Sequence, residues 1–166
     1  TEMHLEEVLA QVRSYGCPLV EVTGGEPLHQ QAAFPFIEAL CQEKLEVLIE
    51  TSGAIDISAV DSRARIILDI KCPGSKMEDR MYWENLHHIK EKDEIKFVIN
   101  DRQDYDWAVE VVKRYRLTEQ CPVLFSPVFE GLELRTMAEW ILKDRLPIRF
   151  QVQLHKFIWN PEARGV

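Results

Sequence analysis

The sequence predicts an α/β protein, an incomplete parallel βα barrel with about six strands present. Strand-like apolar runs alternate with helix-like segments from one end of the chain to the other. The runs are nearly continuous in apolar residues, which is typical of a parallel sheet covered by helices. A closed eightfold barrel takes about 250 residues, more than this chain has. A doubly wound open sheet is the alternative, and both architectures place function in the loops after the carboxyl ends of the strands.

The individual elements follow from periodicity and turn residues. Four apolar residues recur at helical spacing before the stop residue Gly16, and they are Leu5, Val8, Leu9 and Val12. Further helices are predicted over residues 28–44, 79–90, 102–116 and 133–145. Strands are predicted over residues 18–22, 47–49, 66–68, 95–99, 123–125 and 148–154. No linker or repeat divides the chain, so residues 1–166 are predicted to form a single domain.

Composition restricts the class of partner. The chain has 46% hydrophobic and 29% charged residues, which is ordinary for a globular domain. No apolar run approaches a membrane span and no signal peptide opens the chain, so we expect a cytoplasmic protein without membrane contact. The formal net charge is −8, and the longest basic cluster, residues 113–116, is short and interrupted. We therefore expect a small-molecule partner and no direct contact with nucleic acid.

The four cysteines, Cys17, Cys41, Cys72 and Cys121, lie far apart in the sequence. No CxxC or CxxxCxxC spacing occurs, so metal binding by a local motif is unsupported. A disulfide framework is not expected in a chain of this size without a secretory signal. We expect four reduced cysteines with structural or incidental roles, and no metal ligands in this chain.

A glycine-rich segment follows the first predicted strand, where this class of fold places its chemistry. It contains Thr23, Gly24, Gly25 and Glu26. Two consecutive glycines permit close approach to the backbone, and a carboxylate beside them can hold a cation such as an amino-acid ammonium. The alternative is a tight turn in which Glu26 is the acid at a helix N-terminus. No phosphate-loop motif is present.

Polar residues also follow the second and third strands. Glu50, Thr51 and Ser52 either contact a ligand or supply hydroxyls that cap a helix. Asp69 and Lys71 project to one side of a strand that is otherwise apolar. Because a buried charge needs a partner, these two either pair with each other or serve a ligand.

The last two strands end in further polar residues. Ser126 and Pro127 close the fifth predicted strand. Three polar residues alternate along the sixth and therefore share one face of it, and they are Gln151, Gln153 and His155. His155 makes either a structural hydrogen bond or a catalytic contact.

Taken in order, these segments resemble those of the 7-carboxy-7-deazaguanine synthases, a family within the radical S-adenosylmethionine superfamily. VTGGEP at residues 22–27 is similar to the motif whose backbone and acid receive the methionyl amino group of the cofactor. The other matching segments are IETSG at 49–53, LDIKCPGS at 68–75, EIKFVI at 94–99, LFSPV at 124–128 and QLHKFIW at 153–159. The resemblance covers nearly the whole chain.

The resemblance implies a barrel of the radical S-adenosylmethionine type and a reaction. 6-Carboxy-5,6,7,8-tetrahydropterin is converted to 7-carboxy-7-deazaguanine by radical ring contraction with loss of ammonia, on the route to queuosine in tRNA. S-adenosylmethionine, a [4Fe–4S] cluster and Mg²⁺ are the implied cofactors. An electron donor such as flavodoxin or ferredoxin and a homodimer are the implied partners. The alternatives are another radical enzyme, such as a glycyl-radical activase, and a cluster-free, non-catalytic binding protein.

The resemblance also assigns roles at the first two strand ends. Gly24, Gly25 and Glu26 are expected to bind the methionine end of the cofactor. Thr23 is expected to face the substrate, and Glu50 to contact it.

Two further stretches carry over with departures from the family pattern. Asp69, Ile70 and Lys71 occupy the stretch that holds the ribose and methionyl groups, where relatives usually have Ser-Pro-Lys. The loop on the adenine side often contains Gln-Pro in relatives, and here it corresponds to Ser126, Pro127, Val128 and Phe129.

The cluster motif CxxxCxxC of the family does not occur in this chain. The chain begins in what resembles the helix after that motif, so we expect either a truncated enzyme or a non-catalytic remnant. Truncation is favoured because the later ligand motifs, including Glu26 and Lys71, are kept. The chain as printed is therefore expected to be inactive without its cluster segment.

The tail at residues 159–166 follows the last predicted strand and should start near the mouth of the site. A tail ending in Arg-Gly-Val is part of the resemblance. A pterin presents an amino group beside a ring N–H, a pair of donors that suits one carboxylate. We expect Glu162 or the terminal carboxylate of Val166 to accept this pair, and the alternative is a frayed terminus.

Overall fold

Six strands form one sheet in the computed structural model, which describes residues 3–163. The strands are β1 (Leu19–Val22), β2 (Glu46–Thr51), β3 (Arg65–Lys71), β4 (Glu94–Ile99), β5 (Val123–Pro127) and β6 (Arg149–Phe150). Every neighbouring pair is parallel, and the spatial order is the chain order, β1 to β6. A doubly wound sheet reverses its order at a switch point, and this sheet does not. The prediction of an incomplete parallel βα barrel with six strands is therefore confirmed.

Five α-helices accompany the strands in the described residues. They are α1 (Leu5–Tyr15), α2 (Ala33–Gln42), α3 (Arg102–Arg114), α4 (Leu134–Asp144) and α5 (His155–Ile158). Gly16 ends α1 in the left-handed conformation with φ 63°, as its stop role predicts. Asp101 starts α3, because its side chain accepts a hydrogen bond from the Asp104 N–H at 3.0 Å. Within residues 3–163, none of the helices is both long and apolar enough to span a membrane.

The predicted helix over residues 79–90 is wrong. Two short 3₁₀ turns, Glu78–Arg80 and Trp83–His87, occupy this segment. Asn85 explains the difference, because its fully buried amide donates to the carbonyls of Gly53 and Ile55 at 3.0 and 2.9 Å and accepts the Ile57 N–H at 3.0 Å. The backbone is thus fixed by bonds to the preceding loop, which apolar periodicity does not reveal.

The predicted strand over residues 148–154 is also mostly wrong, since β6 contains only two residues. The Gln151 N–H still donates to the Phe125 carbonyl at 2.9 Å. In a parallel ladder the next bond would run from the N–H of residue 127 to the Gln151 carbonyl, and Pro127 has no N–H to donate. The chain then leaves the sheet and turns into α5 at His155. Gln151, Gln153 and His155 therefore do not share a strand face.

The helix predicted over residues 28–44 is shorter than expected, because a 3₁₀ turn at Pro27–His29 precedes α2. Buried residues alternate with partly exposed ones in β2 and β4, whereas β5 is buried at every position. In β2 and β4 the buried positions include Ile49, Ile95 and Phe97, whereas Glu50 and Lys96 between them are only partly buried. The buried set packs against the helices, and the alternate positions face the inside of the partial barrel.

Candidate functional site

The carboxyl ends of the strands surround a cavity of about 740 Å³, here named the strand-end cavity. A smaller cavity of about 220 Å³ adjoins it, and both are lined by Glu50, Asp69 and Lys71. Together they bring the ends of β1, β2, β3 and β5 to one place, as the fold class predicts. The larger volume lies in the range of about 300–1,000 Å³ that small-molecule sites occupy.

The loop after β1 exposes its backbone toward the smaller cavity. Thr23, Gly24 and Gly25 line this cavity and are solvent-exposed. Gly24 has φ 102° and Gly25 has φ 58°, so both take conformations that other residues rarely adopt. A Cβ at either position would meet no atom within 4 Å. The glycines are therefore required by backbone conformation, and the space beside them is open to a ligand.

Glu26 links the ends of β1 and β2. Its carboxylate accepts hydrogen bonds from the Thr51 hydroxyl at 2.9 Å and from the Ser52 N–H and hydroxyl at 2.8 and 2.5 Å. It also accepts the Leu28 N–H at 3.1 Å and so caps the 3₁₀ turn at Pro27–His29. The Thr51 and Ser52 hydroxyls thus hold Glu26 rather than capping a helix. Both readings of Glu26, turn acid and ligand acid, are compatible with this half-buried carboxylate.

Asp69 and Lys71 pair with each other at the end of β3. Lys71 Nζ lies 2.5 Å from Asp69 Oδ2, and the Asp69 side chain is only 9% exposed. Asp69 Oδ1 is buried and has no hydrogen-bond partner among the described residues. Such an orphaned acceptor is costly unless a ligand or water satisfies it. Ile70, between the two charges, points the other way and is fully buried in the core.

A second ion pair crosses the strand-end cavity, and the sequence analysis missed one of its members. Lys96 Nζ on β4 lies 2.6 Å from Glu50 Oε1 on β2. Lys96 is opposite Asp69 in the sheet register, so four charged groups line one region of the barrel interior. The sequence did contain a signal for Lys96. It lies between Ile95 and Phe97 in the apolar run EIKFVI, so its side chain must point to the opposite face of the strand from theirs.

Glu21, one position before Val22 in β1, is a further acid that lines the strand-end cavity. Glu21 is exposed, but partial desolvation inside the barrel raises its pKa above the ordinary value, and the negative charge of Glu50 raises it further. Lys96 acts in the opposite direction on the same pKa. The cavity therefore holds an excess of carboxylates over lysines, which favours ligands with cationic or N–H donor groups.

The end of β5 lies between the strand-end cavity and an apolar cavity of about 370 Å³. Ser126 lines the first, Pro127 and Phe129 line the second, and Val128 lines both. The Phe129 ring meets the Phe157 ring edge-on, with ring centroids 5.5 Å apart. This surface is apolar and aromatic, as a stacking site for a planar ring would be.

The C-terminal segment contributes residues despite the short β6. Gln151, Gln153 and His155 all line the strand-end cavity, His155 from the first position of α5. Glu162 is exposed and is not among the residues that line the cavities described above. Val166 lies outside the described residues, so its predicted role stays a prediction.

The donor set for a metal is poor in the part of the chain that the structure describes. Across residues 3–163 there is no group of three His, Cys, Asp or Glu side chains that could hold a metal ion. Cys41, Cys72 and Cys121 are buried, and burial raises the pKa of each thiol, to about 12 for Cys121. Because a metal binds the thiolate, these thiols are poor ligands. The residues present therefore do not fit an iron–sulfur cluster.

Comparison with known proteins identifies the family. No family model matches the chain. The 7-carboxy-7-deazaguanine synthase of Chlorobaculum tepidum is 43% identical over 169 residues, covering 100% of this chain and 77% of that protein. The synthase of Koribacter versatilis is 39% identical over 180 residues, covering 99% of this chain and 80% of that protein. The synthase of Clostridium acetobutylicum is 32% identical over 171 residues, covering 100% and 77%.

A solved structure supports the fold. The crystal structure of QueE from Escherichia coli superposes with a TM-score of 0.70 at 19% sequence identity. The match covers 91% of this chain, which spans 64% of that protein's length. At this identity the likeness concerns the fold alone, whereas the three sequence relatives agree in name and cover the chain from end to end. The chain belongs to the 7-carboxy-7-deazaguanine synthase family.

Proposed function

We propose that this chain carries out its family's reaction, the conversion of 6-carboxy-5,6,7,8-tetrahydropterin to 7-carboxy-7-deazaguanine. The reaction is a radical ring contraction with loss of ammonia, in 7-deazapurine biosynthesis toward queuosine. The observation that carries the proposal is that Glu50, Asp69 and Lys71 line one cavity together with the glycine-rich loop, in a chain 43% identical to such a synthase over its whole length. The relatives favour this reaction over that of a glycyl-radical activase.

S-adenosylmethionine fits the residues that line the smaller cavity. Gly24 and Gly25 expose their backbone to this cavity, and the carboxylate of Glu26, the next residue, is assigned to the cofactor ammonium. The orphaned Asp69 Oδ1 needs a donor, which a ribose hydroxyl supplies. Lys71 is the cation suited to the methionyl carboxylate. When bound, the cofactor supplies the hydrogen-abstracting chemistry of the superfamily.

The adenine ring is best accommodated at the end of β5. Ser126 offers a hydroxyl to the strand-end cavity, and Val128 and Phe129 offer apolar surface next to it. Pro127 ends the ladder to β6 and lines the apolar cavity, and Val128 beside it lines both cavities. We assign these four residues to the adenine side of the cofactor.

The pterin substrate is best accommodated beside the ion pair of Glu50 and Lys96. A carboxylate in bidentate geometry suits the amino group and adjacent ring N–H of a pterin. Glu50 is held in place by Lys96 Nζ at 2.6 Å, which fixes the position of its carboxylate at the cavity wall. Thr23, exposed at the rim of the adjoining cavity, is the second residue assigned to the substrate.

Several parts of the proposal go beyond these residues. Radical chemistry in this family implies a [4Fe–4S] cluster, but the described residues do not fit one. Mg²⁺, a flavodoxin or ferredoxin as electron donor, a homodimer and a cytoplasmic location are further proposals from the family. The single domain over residues 1–166 and the inactivity of the chain without a cluster segment also stay predictions.

Product analysis on the full-length protein tests the function. The protein, reconstituted with iron and sulfide, is incubated with S-adenosylmethionine, dithionite and 6-carboxy-5,6,7,8-tetrahydropterin. We expect 7-carboxy-7-deazaguanine by mass spectrometry, together with one ammonia per product. A protein that cleaves S-adenosylmethionine but leaves the pterin unchanged would contradict the proposal and favour another radical reaction.

A further inference from the structure

Asp104 is a buried carboxylate that joins two loops at the rim of the strand-end cavity. Its side chain lies in the first turn of α3 and the residue is only 2% exposed. Oδ1 accepts the Gly74 N–H at 2.8 Å, from the loop after β3. Oδ2 accepts the Asn100 N–H at 3.1 Å, from the residue after β4. One side chain thus fixes the ends of two adjacent strands relative to each other.

Helix capping does not account for Asp104. Asp101 already caps α3 by accepting the Asp104 N–H. An ionised carboxylate is expensive to bury unless its oxygens receive donors, and here both donors come from loops rather than from the helix itself. The carboxylate therefore binds the two loops, and the free-energy cost of burying it is offset only when both loops are close enough to donate their hydrogen bonds.

Gly74 makes this approach possible. A Cβ at position 74 would lie 2.6 Å from Asp104 Oδ2 and 3.1 Å from its carboxyl carbon. The backbone φ of Gly74 is not in the left-handed region, so the requirement for glycine here is one of space. The close contact between the loop and the carboxylate thus depends on the absence of a side chain at position 74.

The two loops that Asp104 holds lie at the strand-end cavity, next to the pair of Asp69 and Lys71. Gly74 and Ser75 follow Lys71 by a few residues, and both line the strand-end cavity together with Asn100 and Asp104. A movement of this loop therefore moves the end of β3, where Asp69 and Lys71 form their pair. Catalytic geometry is sensitive to such movement, since a misplacement of about 1 Å can cost on the order of 100-fold in rate.

We propose that Asp104 is a positioning residue that sets the Lys71 end of the S-adenosylmethionine site by holding Gly74 and Asn100. The inference rests on the proposed function, since it takes β3 to be part of the cofactor site. Asp104 touches neither cofactor nor substrate in this account. It acts through the two backbone N–H groups.

The chain contains a matched control, Asp93. This residue is 1% exposed, and it also accepts two backbone N–H groups, from Ile66 at 2.9 Å and Lys90 at 2.8 Å. It lies beside the amino ends of β3 and β4 and lines a separate cavity of about 210 Å³. Asp93→Asn and Asp104→Asn therefore make the same chemical change at opposite ends of the sheet.

Three measurements on the two variants in the full-length, cluster-loaded protein test the inference. We expect comparable falls in melting temperature, because each variant replaces one of two acceptor oxygens with a donor. Only Asp104→Asn should raise the KM and Kd for S-adenosylmethionine, by about tenfold if one hydrogen bond to a loop is lost. Only Asp104→Asn should speed hydrogen exchange at the Gly74 amide in protein without any ligand.

The outcomes separate the inference from the proposed function. If the wild-type protein binds no S-adenosylmethionine and makes no product, the proposed function fails and this inference with it. If the wild type does both and Asp104→Asn behaves as Asp93→Asn does, only the positioning role is overturned. Should Asp104→Asn not fold, Gly74→Ala strains the same contact from the other side, and an unchanged cofactor KM there overturns the role.

Discussion

Glu26 Oε2 at the end of the first strand accepts both the N–H and the hydroxyl of Ser52 at the end of the second, at 2.8 and 2.5 Å. The acid of the glycine-rich loop is therefore oriented by the neighbouring strand before any ligand arrives. The ETSG and GGEP segments, 25 residues apart from Glu26 to Thr51, form one structural unit. This relationship explains why both segments carry the resemblance to the family.

The first prediction concerns Ser52. Ser52→Ala removes the hydroxyl donor but leaves the backbone donor, so Glu26 loses one of its bonds and part of its orientation. We expect the free energy of unfolding to fall by about 1 kcal/mol and the Kd for S-adenosylmethionine to rise several-fold. Chemical denaturation and calorimetry on the same preparation check both values. Ser62→Ala, where the serine is exposed in another loop, is the control and should change neither.

The second prediction separates the two roles of Lys71. Lys71→Met leaves the nearly buried Asp69 without its cation, and we expect a loss of stability of up to about 3 kcal/mol. The double variant Asp69→Asn/Lys71→Met removes the unpaired charge and should recover most of that stability. It should bind S-adenosylmethionine more weakly than the single variant Asp69→Asn, which makes the same change at Asp69 and keeps the lysine. If these two variants bind S-adenosylmethionine equally well, Lys71 serves only Asp69.

The third prediction is a pH dependence that follows from Glu21. Its pKa is raised in the folded protein, first by partial desolvation and second by the charge of Glu50, so the folded state holds this proton more tightly than the unfolded state does. The associated stability is present below the ordinary pKa of a glutamate and is lost as the pH rises through the raised value. Glu21→Gln should therefore match the wild type in acid and become the more stable protein at neutral pH.

Denaturant unfolding between pH 4 and pH 8 measures this difference. Glu110→Gln, at an exposed position on α3, is the control and should show no such crossover. A constant difference between Glu21→Gln and the wild type across the pH range would contradict the assigned cause. Lys96→Met should increase the effect, because Lys96 lowers the pKa of Glu21.

Periodicity and motifs were sufficient to predict the sheet and to locate the polar residues at its first three strand ends, whose binding roles stay predictions. The apolar runs identify five of the six strands to within a few residues, because four of these strands, β2 to β5, contribute buried side chains to the core. The glycines and the acid of the first loop were identified because they are consecutive in the sequence and form a recognisable motif. Asp69 and Lys71 were identified because charges in an apolar strand are unusual.

Other features depend on contacts between distant residues and could not be predicted in this way. Asn85 determines the conformation of residues 79–90 through bonds to residues 53–57, a relation that no local pattern contains. Pro127 in β5 has no backbone N–H to donate to β6, so the pairing of the two strands ends there. The ion pair of Lys96 and Glu50 joins β4 to β2 across the intervening strand β3, so it depends on the strand order of the sheet.

The central claim is that Glu26 receives the cofactor at the junction of β1 and β2, and calorimetric titration of S-adenosylmethionine tests it most directly. Glu26→Gln keeps the shape of the side chain and removes the charge that pairs with the cofactor ammonium. The account predicts affinity weaker by about 1.5–3 kcal/mol, the range for a charge-assisted hydrogen bond. It also predicts a moderate loss of stability, since one oxygen that accepts from Thr51 or Ser52 becomes an amide. Wild-type affinity in a folded Glu26→Gln protein would contradict the claim.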